Sequence, residues 1–218
     1  GASANIVYDF GDVELTSITA YESASGSSRG DIDGGVAGVG PGFIPFDSDT
    51  KDSIDDLDQT TQEIRLASDT SGPLSWQVGA YYFDSEFTVT TVGPSGFPPP
   101  ATLTHANQSW AVFGQATYDI TEAFSVTGGV RYTEDDKDLT VPAAPANNVS
   151  ISDDHVSWDV SAMYDITPDF SVYGRIAEGF RGPSIQGRDV AFFNPPSIAT
   201  SETVLSYEAG FKSTIGDQ

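Results

Sequence analysis

The sequence predicts an all-β chain, an antiparallel up-and-down meander forming part of a large transmembrane β-barrel, and three observations lead there. A nine-residue phrase occurs twice, as Tyr118-Asp119-Ile120-Thr121-Glu122-Ala123-Phe124-Ser125-Val126 and as Tyr164-Asp165-Ile166-Thr167-Pro168-Asp169-Phe170-Ser171-Val172. In each copy an alternating strand meets an aromatic residue, turns tightly through polar residues and restarts on another aromatic, so one hairpin geometry is reused. Rings at both shoulders of a turn suit strands that leave a bilayer at headgroup level. Short turns then alternate with long connections along the whole chain, and charged residues within the strands leave the opposite face apolar.

The strands follow in order. Segments 6–10 and 13–21 flank Gly11-Asp12, a two-residue hairpin signal. Segments 61–68 and 75–89 flank the turn that runs from Asp69 to Pro73. The first repeated turn joins 109–118 to 124–133, and the second joins 155–164 to 170–177. Segment 202–214 is the last strand, about the ninth. Residues 23–60, 92–106, 134–154 and 181–200 are rich in Gly, Pro, Ser and Asp and read as long loops gathered at the end opposite the short turns. A soluble sandwich mixes loop lengths at both ends; this asymmetry is the wiring of an up-and-down barrel.

Charge fixes which residues share a face. A Lys or Arg facing lipid at midplane costs about 2–4 kcal/mol, so Arg65, Arg131, Arg175, Glu208 and Lys212 are expected to face the lumen. Alternation then sends Trp76, Val78, Tyr82, Trp110, Val112, Tyr118, Phe124, Val130, Tyr132, Trp158, Val160 and Tyr164 outward. The polar faces of 111–117 and 157–165 are mostly Ser, Thr, Ala and Gln. A free aqueous surface would carry roughly 25–35% charged residues, so these faces read as a crowded lumen wall.

Composition narrows the function. The 218 residues include 22 Gly and 13 Pro but no Cys, and their net charge is −23. Such a chain repels phosphate, which excludes nucleic acid as a partner. Zero Cys removes thiol nucleophiles and the usual structural zinc sites. The acidic stretches around Asp47–Asp58 and Glu134–Asp138 read as solvated loops, with no calcium-loop spacing. His105 and His155 are the two imidazoles, and no nucleophile elbow, paired metal-ligand motif or phosphate loop accompanies them. The expectation is a non-enzyme without cofactor or metal. Neither end shows a leader or a closing strand, so the sequence predicts an open wall of about nine strands, an internal piece over residues 1–218.

Several phrases resemble the barrel of TonB-dependent outer-membrane receptors. One is Gln62-Glu63-Ile64-Arg65-Leu66-Ala67-Ser68 followed by Gly72-Pro73-Leu74-Ser75-Trp76-Gln77-Val78-Gly79-Ala80-Tyr81-Tyr82-Phe83. Phe113-Gly114-Gln115-Ala116-Thr117-Tyr118-Asp119 with Gly128-Gly129-Val130-Arg131-Tyr132-Thr133-Glu134-Asp135 is another. The most distinctive pair is Glu178-Gly179-Phe180-Arg181-Gly182-Pro183-Ser184 with Tyr207-Glu208-Ala209-Gly210-Phe211-Lys212-Ser213. The resemblance implies a 22-stranded barrel around a plug domain, set in outer-membrane lipid of a Gram-negative type cell. Such a receptor imports a scarce nutrient, commonly an iron–siderophore complex, on energy delivered by the TonB complex. The chain shows fewer than half of those strands and neither plug nor TonB-contacting box.

Candidate ligand residues lie in the mouth loop after the eighth strand. There Phe180, Arg181, Arg188, Phe192 and Phe193 place apolar rings beside guanidinium groups, a surface for an aromatic anionic chelate. The alternative reading is a loop packed on its own aromatics. Phe43, Phe46 and Phe97 on other loops would complete the surface. For Arg65, Arg131 and Arg175 the choice lies between an acid partner in the wall and a contact with plug or ligand. Two competing classes stand beside the receptor: a passive porin-like or small closed outer-membrane barrel, and a soluble carbohydrate-binding β-sandwich.

Overall fold

The structure, a computed structural model, describes residues 1–31, 34–39, 48–69, 71–93 and 99–214. Nine strands form one antiparallel sheet: β1 (Ala2–Asp9), β2 (Val13–Asp31), β3 (Asp49–Ser68), β4 (Leu74–Val92), β5 (Ala101–Thr121), β6 (Phe124–Thr140), β7 (Val149–Thr167), β8 (Phe170–Arg181) and β11 (Glu202–Ser213). They pair in that order, β8 directly with β11, and β1 does not pair with β11. A two-stranded hairpin, β9 (Ser184–Gln186) with β10 (Ser197–Ala199), stands apart from this sheet. No second sheet packs face to face on the first among the described residues, so the sandwich reading fails on topology.

The repeated phrase makes a repeated hairpin, down to its irregularity. Between β5 and β6 the register skips Ile120, with Asp119 opposite Ser125 and Thr121 opposite Phe124. Between β7 and β8 it skips Ile166 at the same point, with Asp165 opposite Ser171 and Thr167 opposite Phe170. Identical residues at the bulge and at the restart drive the strand through the same bend.

All four short turns lie at one end, tied along the rim by backbone hydrogen bonds. The N–H of Asp69 donates to Asp12 O at 2.9 Å and that of Asp119 to Pro73 O at 2.7 Å. Asp165 N–H donates to Ala123 O at 2.8 Å, and Thr214 N–H to Asp169 O at 3.0 Å. Each turn thus satisfies the first backbone donor past the next hairpin's edge, which keeps the rim in register.

The strands run far longer than the sequence pattern suggested. Most of the expected loop residues 23–60, 92–106 and 134–154 continue the ladder, leaving irregular connections only where the strands named above end. Outside a bilayer nothing demands apolar alternation, so periodicity faded while pairing continued. Cross-strand hydroxyls and carboxylates hold this upper part: Thr88 with Thr104 at 3.2 Å, Thr90 with Thr102 at 3.2 Å, and Thr91 Oγ1 donating to Asp52 at 2.7 Å.

Register shows that the sheet has two chemically opposite faces. One row reads Leu15, Leu66, Val78, Gly114, Val130 and Trp158 across successive strands. The adjacent row, one residue along, reads Thr16, Arg65, Gly79, Phe113, Arg131 and Ser157. On the apolar face Val78, Val112, Val130 and Val160 are 45–54% exposed, although valine is among the residues most often buried. Aromatics bound this band at both ends. Tyr82, Trp110 and Tyr132 form the upper ring, with Trp110 and Tyr132 centroids 5.4 Å apart. Tyr118, Phe124 and Tyr164 form the lower, with Phe124 and Tyr164 at 6.4 Å. Trp76, Phe124 and Tyr132 are half-buried by such neighbours rather than fully exposed. Trp110 to Tyr118, like Phe124 to Tyr132, covers nine residues, within the roughly 9–11 that a tilted membrane-spanning strand needs.

Candidate functional site

The largest fully buried side chains among the described residues lie at the long-connection end of the polar face. Leu103 on β5, Leu139 on β6 and Val141 just beyond it are 1%, 1% and 2% exposed. Alternation puts Leu103 and Leu139 on the same face as Arg131. What covers them is the segment 182–201, expected to be an outer mouth loop. It folds back as a strap: the β9–β10 hairpin encloses a 3-10 helix, Gly187–Phe192. Ile185 and Val190 of the strap, with Ala144 and Val149, complete the cluster.

Two glycines let the strap sit this close. A Cβ on Gly187 would meet His105 Nε2 at 2.9 Å and Leu139 Cδ1 at 3.0 Å, and one on Gly182 would overlap the Asp135 carboxylate. Polar ties fix the edges: Arg188 lies 3.8 Å from Asp52, and the Ser201 hydroxyl donates to Asp153. Ser197 Oγ donates to Asp189 at 2.8 Å within the strap. The helix ends on Phe193 at φ 62°, whose N–H donates to Val190 O at 3.1 Å. A bulky residue in the left-handed region is strained, and Phe193 is nonetheless 70% exposed.

The candidate ligand residues divide between two places. Arg188 sits over the Phe192 ring at 5.7 Å with Phe193 next along the chain, so these three share the tip of the strap. Phe180 lies elsewhere, stacked on His155 at 4.9 Å. His155 Nε2 lies 2.9 Å from Glu178 Oε1. Strict alternation from Arg175 would put Glu178 and Phe180 on the apolar face. The β7–β8 ladder ends at Trp158 opposite Glu178, and past that point both side chains meet His155. Arg181 is exposed beside Glu202 at 3.8 Å. Phe43, Phe46 and Phe97 lie outside the described residues. The contribution of His155 was missed because a lone histidine at a strand end carries no sequence signal.

The charged residues of the polar face have different partners. Arg65 lies 3.4 Å from Glu63 and Arg175 3.5 Å from Asp159. Tyr173 donates its hydroxyl to Glu208 at 2.6 Å and carries Lys212 over its ring at 5.7 Å. Arg131 lies 5.7 Å from the Tyr81 centroid and 5.6 Å from that of Phe113.

His105 gives the strap a pH dependence. It lies above the upper aromatic ring, stacked on Phe87 at 4.9 Å and covered by Gly187. Burial pushes its imidazole below the usual histidine range, because the charged form loses water under the strap. Free histidine titrates near about 6.5. Between its lowered value and that point, the undocked strap binds more protons than the docked one, so docking strengthens as pH rises and is complete above it. Protease cleavage of 182–201 should therefore quicken on going from neutral to mildly acidic pH. The dependence should vanish in a His105→Phe variant.

Comparison with known proteins adds to this geometry. The family model described as TonB dependent receptor-like, beta-barrel matches residues 1–218. The pesticin receptor of Yersinia enterocolitica is 30% identical over 116 residues, which is 50% of this chain and 17% of that protein. The solved ferric yersiniabactin uptake receptor from Yersinia pestis superposes with a TM-score of 0.75 at 19% identity, over 97% of this chain and 32% of its own. The copper transporter OprC follows with a TM-score of 0.69 at 15% identity, over 99% and 36%. The match thus covers 17% of that pesticin receptor, and 32% and 36% of these two solved structures.

Proposed function

Since this chain belongs to the TonB-dependent receptor-like β-barrel family, we propose that it forms part of the wall of an outer-membrane receptor importing a scarce nutrient, an iron–siderophore complex. The observation that carries the reading is the two-faced sheet between two aromatic rings. One face is apolar and exposed over a membrane's depth, and the other is lined by Arg, Gln, Ser and Thr. Outer-membrane lipid covers the first. The second faces a lumen filled by a plug domain, with the TonB complex supplying energy from the periplasm. The wall binds and guides and carries no covalent chemistry.

Cargo would meet the mouth at the strap tip. Phe192 and Phe193 offer ring faces, and Arg188 offers a fork of donors held over one of them. That pairing suits a planar, anionic, aromatic chelate. The ferric yersiniabactin uptake receptor supports the iron–chelate class by what it is named for, while OprC is named for copper. The strained backbone of Phe193 fits a role in presenting its ring.

The test is uptake in cells producing the full-length protein, with radioactive iron carried by a phenolate siderophore. Uptake should need the protein and should stop when TonB is removed. Transport that persists without TonB would instead support a passive channel. Copper uptake without iron uptake would overturn the chelate class and leave the receptor intact.

A further inference from the structure

We propose that Arg131 is the wall's receptor for a carboxylate carried on the domain that fills the lumen, a contact that rests on the plug reading above. Arg131 belongs to the polar row of Arg65, Gly79, Phe113 and Ser157, below the strap and between the two aromatic rings. Its guanidinium is set by three contacts. Phe113 and Tyr81 hold it at 5.6 and 5.7 Å from their centroids, and its Nε donates to Thr133 Oγ1 at 3.1 Å.

The platform itself is built for this. Phe113 lies over Gly79, where a Cβ would come within 2.5 Å of Phe113 Cζ and 2.8 Å of Ile64 O. Glycine at that position lets the ring lie against the sheet and turn its face toward the guanidinium. A group so positioned loses little freedom when a planar acid docks on it.

No carboxylate oxygen lies within 4.0 Å of Arg131 among the described residues, although Asp159, Glu178 and Asp135 line the same depressions. Each of those acids is committed elsewhere. Asp159 holds Arg175 at 3.5 Å, Asp135 holds Lys137, and Glu178 lies 2.9 Å from His155. Beside Arg131 an open depression of about 490 Å³ is lined by Gln77, Gln115, Ser157 and Arg175 as well as Asp159. In a water-filled lumen the guanidinium is solvated. Once a folded domain expels that water, an arginine without an acid is strongly unfavourable, and Asp135, Asp159 and Glu178 already have other partners. The partner must bring one.

Zero-length cross-linking tests the assignment in the full-length protein in outer-membrane vesicles. A water-soluble carbodiimide joins an amine to a carboxylate in direct contact, and mass spectrometry reads the pair. In the Arg131→Lys variant, position 131 should link to an Asp or Glu outside residues 1–218. Arg175→Lys should link to Asp159 instead. Lys212, on the same face of the unaltered protein, reports separately whether a domain occupies the lumen. Links from Lys212 to such a domain, with only Asp135 or Asp159 captured from position 131, would overturn the proposal and keep the plug. No link from either position to anything outside 1–218 would remove the plug reading as well. Should Arg131→Lys fail to reach the membrane, Ser157→Lys lines the same depression and makes the same test.

Discussion

A Val160→Arg substitution in the full-length protein should cost about 2–4 kcal/mol of folding stability, the depth-dependent penalty for a cation on a barrel's lipid face. Val160 stands in the row of Trp76, Ala116, Gly128 and Ile176, midway between the two aromatic rings, and is 50% exposed. Gln115→Lys is the matched control. Gln115 is exposed on the other face, where its carbonyl accepts from Gln77 at 3.1 Å, and an added cation there should cost clearly less than the same charge facing lipid. Folded barrel can be read from its retarded or advanced gel mobility without heating and from denaturant titration in lipid vesicles. Equal penalties for the two variants would mean that the faces are not chemically distinct environments.

Leu139→Ala should be the most damaging substitution at the mouth. Removing a fully buried leucine costs about 2–5 kcal/mol through lost transfer energy and the cavity left behind. Leu139 is 1% exposed and packs with Leu103, Val141, Ile185 and Val190. The loss falls on the strap rather than on the sheet, because Ile185 and Val190 of the strap dock on that cluster while the sheet is held by its own ladder. The expected result is rapid proteolysis within 182–201 while the barrel stays folded, and weakened cargo binding at the tip. If the strap stays as protected as in the unaltered protein, its docking does not depend on this cluster.

The sheet was legible in the sequence where the bilayer imposes a rule. Between the rings every second residue must tolerate lipid, so alternation around Arg131, Asp159 and Arg175 fixed both faces, and the register agrees row by row. The twice-used turn announced a shared geometry, although the common bulge at Ile120 and Ile166 shows only in the pairing. Beyond Tyr132 and Trp110 the rule lapses. The acidic residues from Glu134 to Asp138 look like loop, yet they extend β6 because hydrogen-bonded pairing needs no apolar face. The strap was harder still. Its strands are three residues each, and what docks it is a cluster assembled from Leu103 and, far along the chain, Leu139 with Val141. A short apolar residue among Gly, Pro and Asp gives no hint of its distant partner. Arg188 and Phe192 were grouped in the sequence only as members of one loop with Phe180, Arg181 and Phe193, and the departure of Phe180 toward His155 depends on where the β7–β8 ladder ends.

The central claim is that this sheet is a membrane wall with one face in lipid and the other toward a lumen. Single-cysteine labelling along β7 tests it most directly, and the chain's zero cysteines leave no competing thiol within residues 1–218. With a nitroxide placed in turn at positions 156 to 164 of the full-length protein in vesicles, oxygen dissolved in the bilayer should relax the label at 156, 158, 160, 162 and 164. A water-soluble nickel chelate should act preferentially at 157, 159, 161 and 163, subject to whatever fills the lumen. A two-residue oscillation with that phase is the predicted result. No oscillation, or one with the opposite phase, would contradict the account.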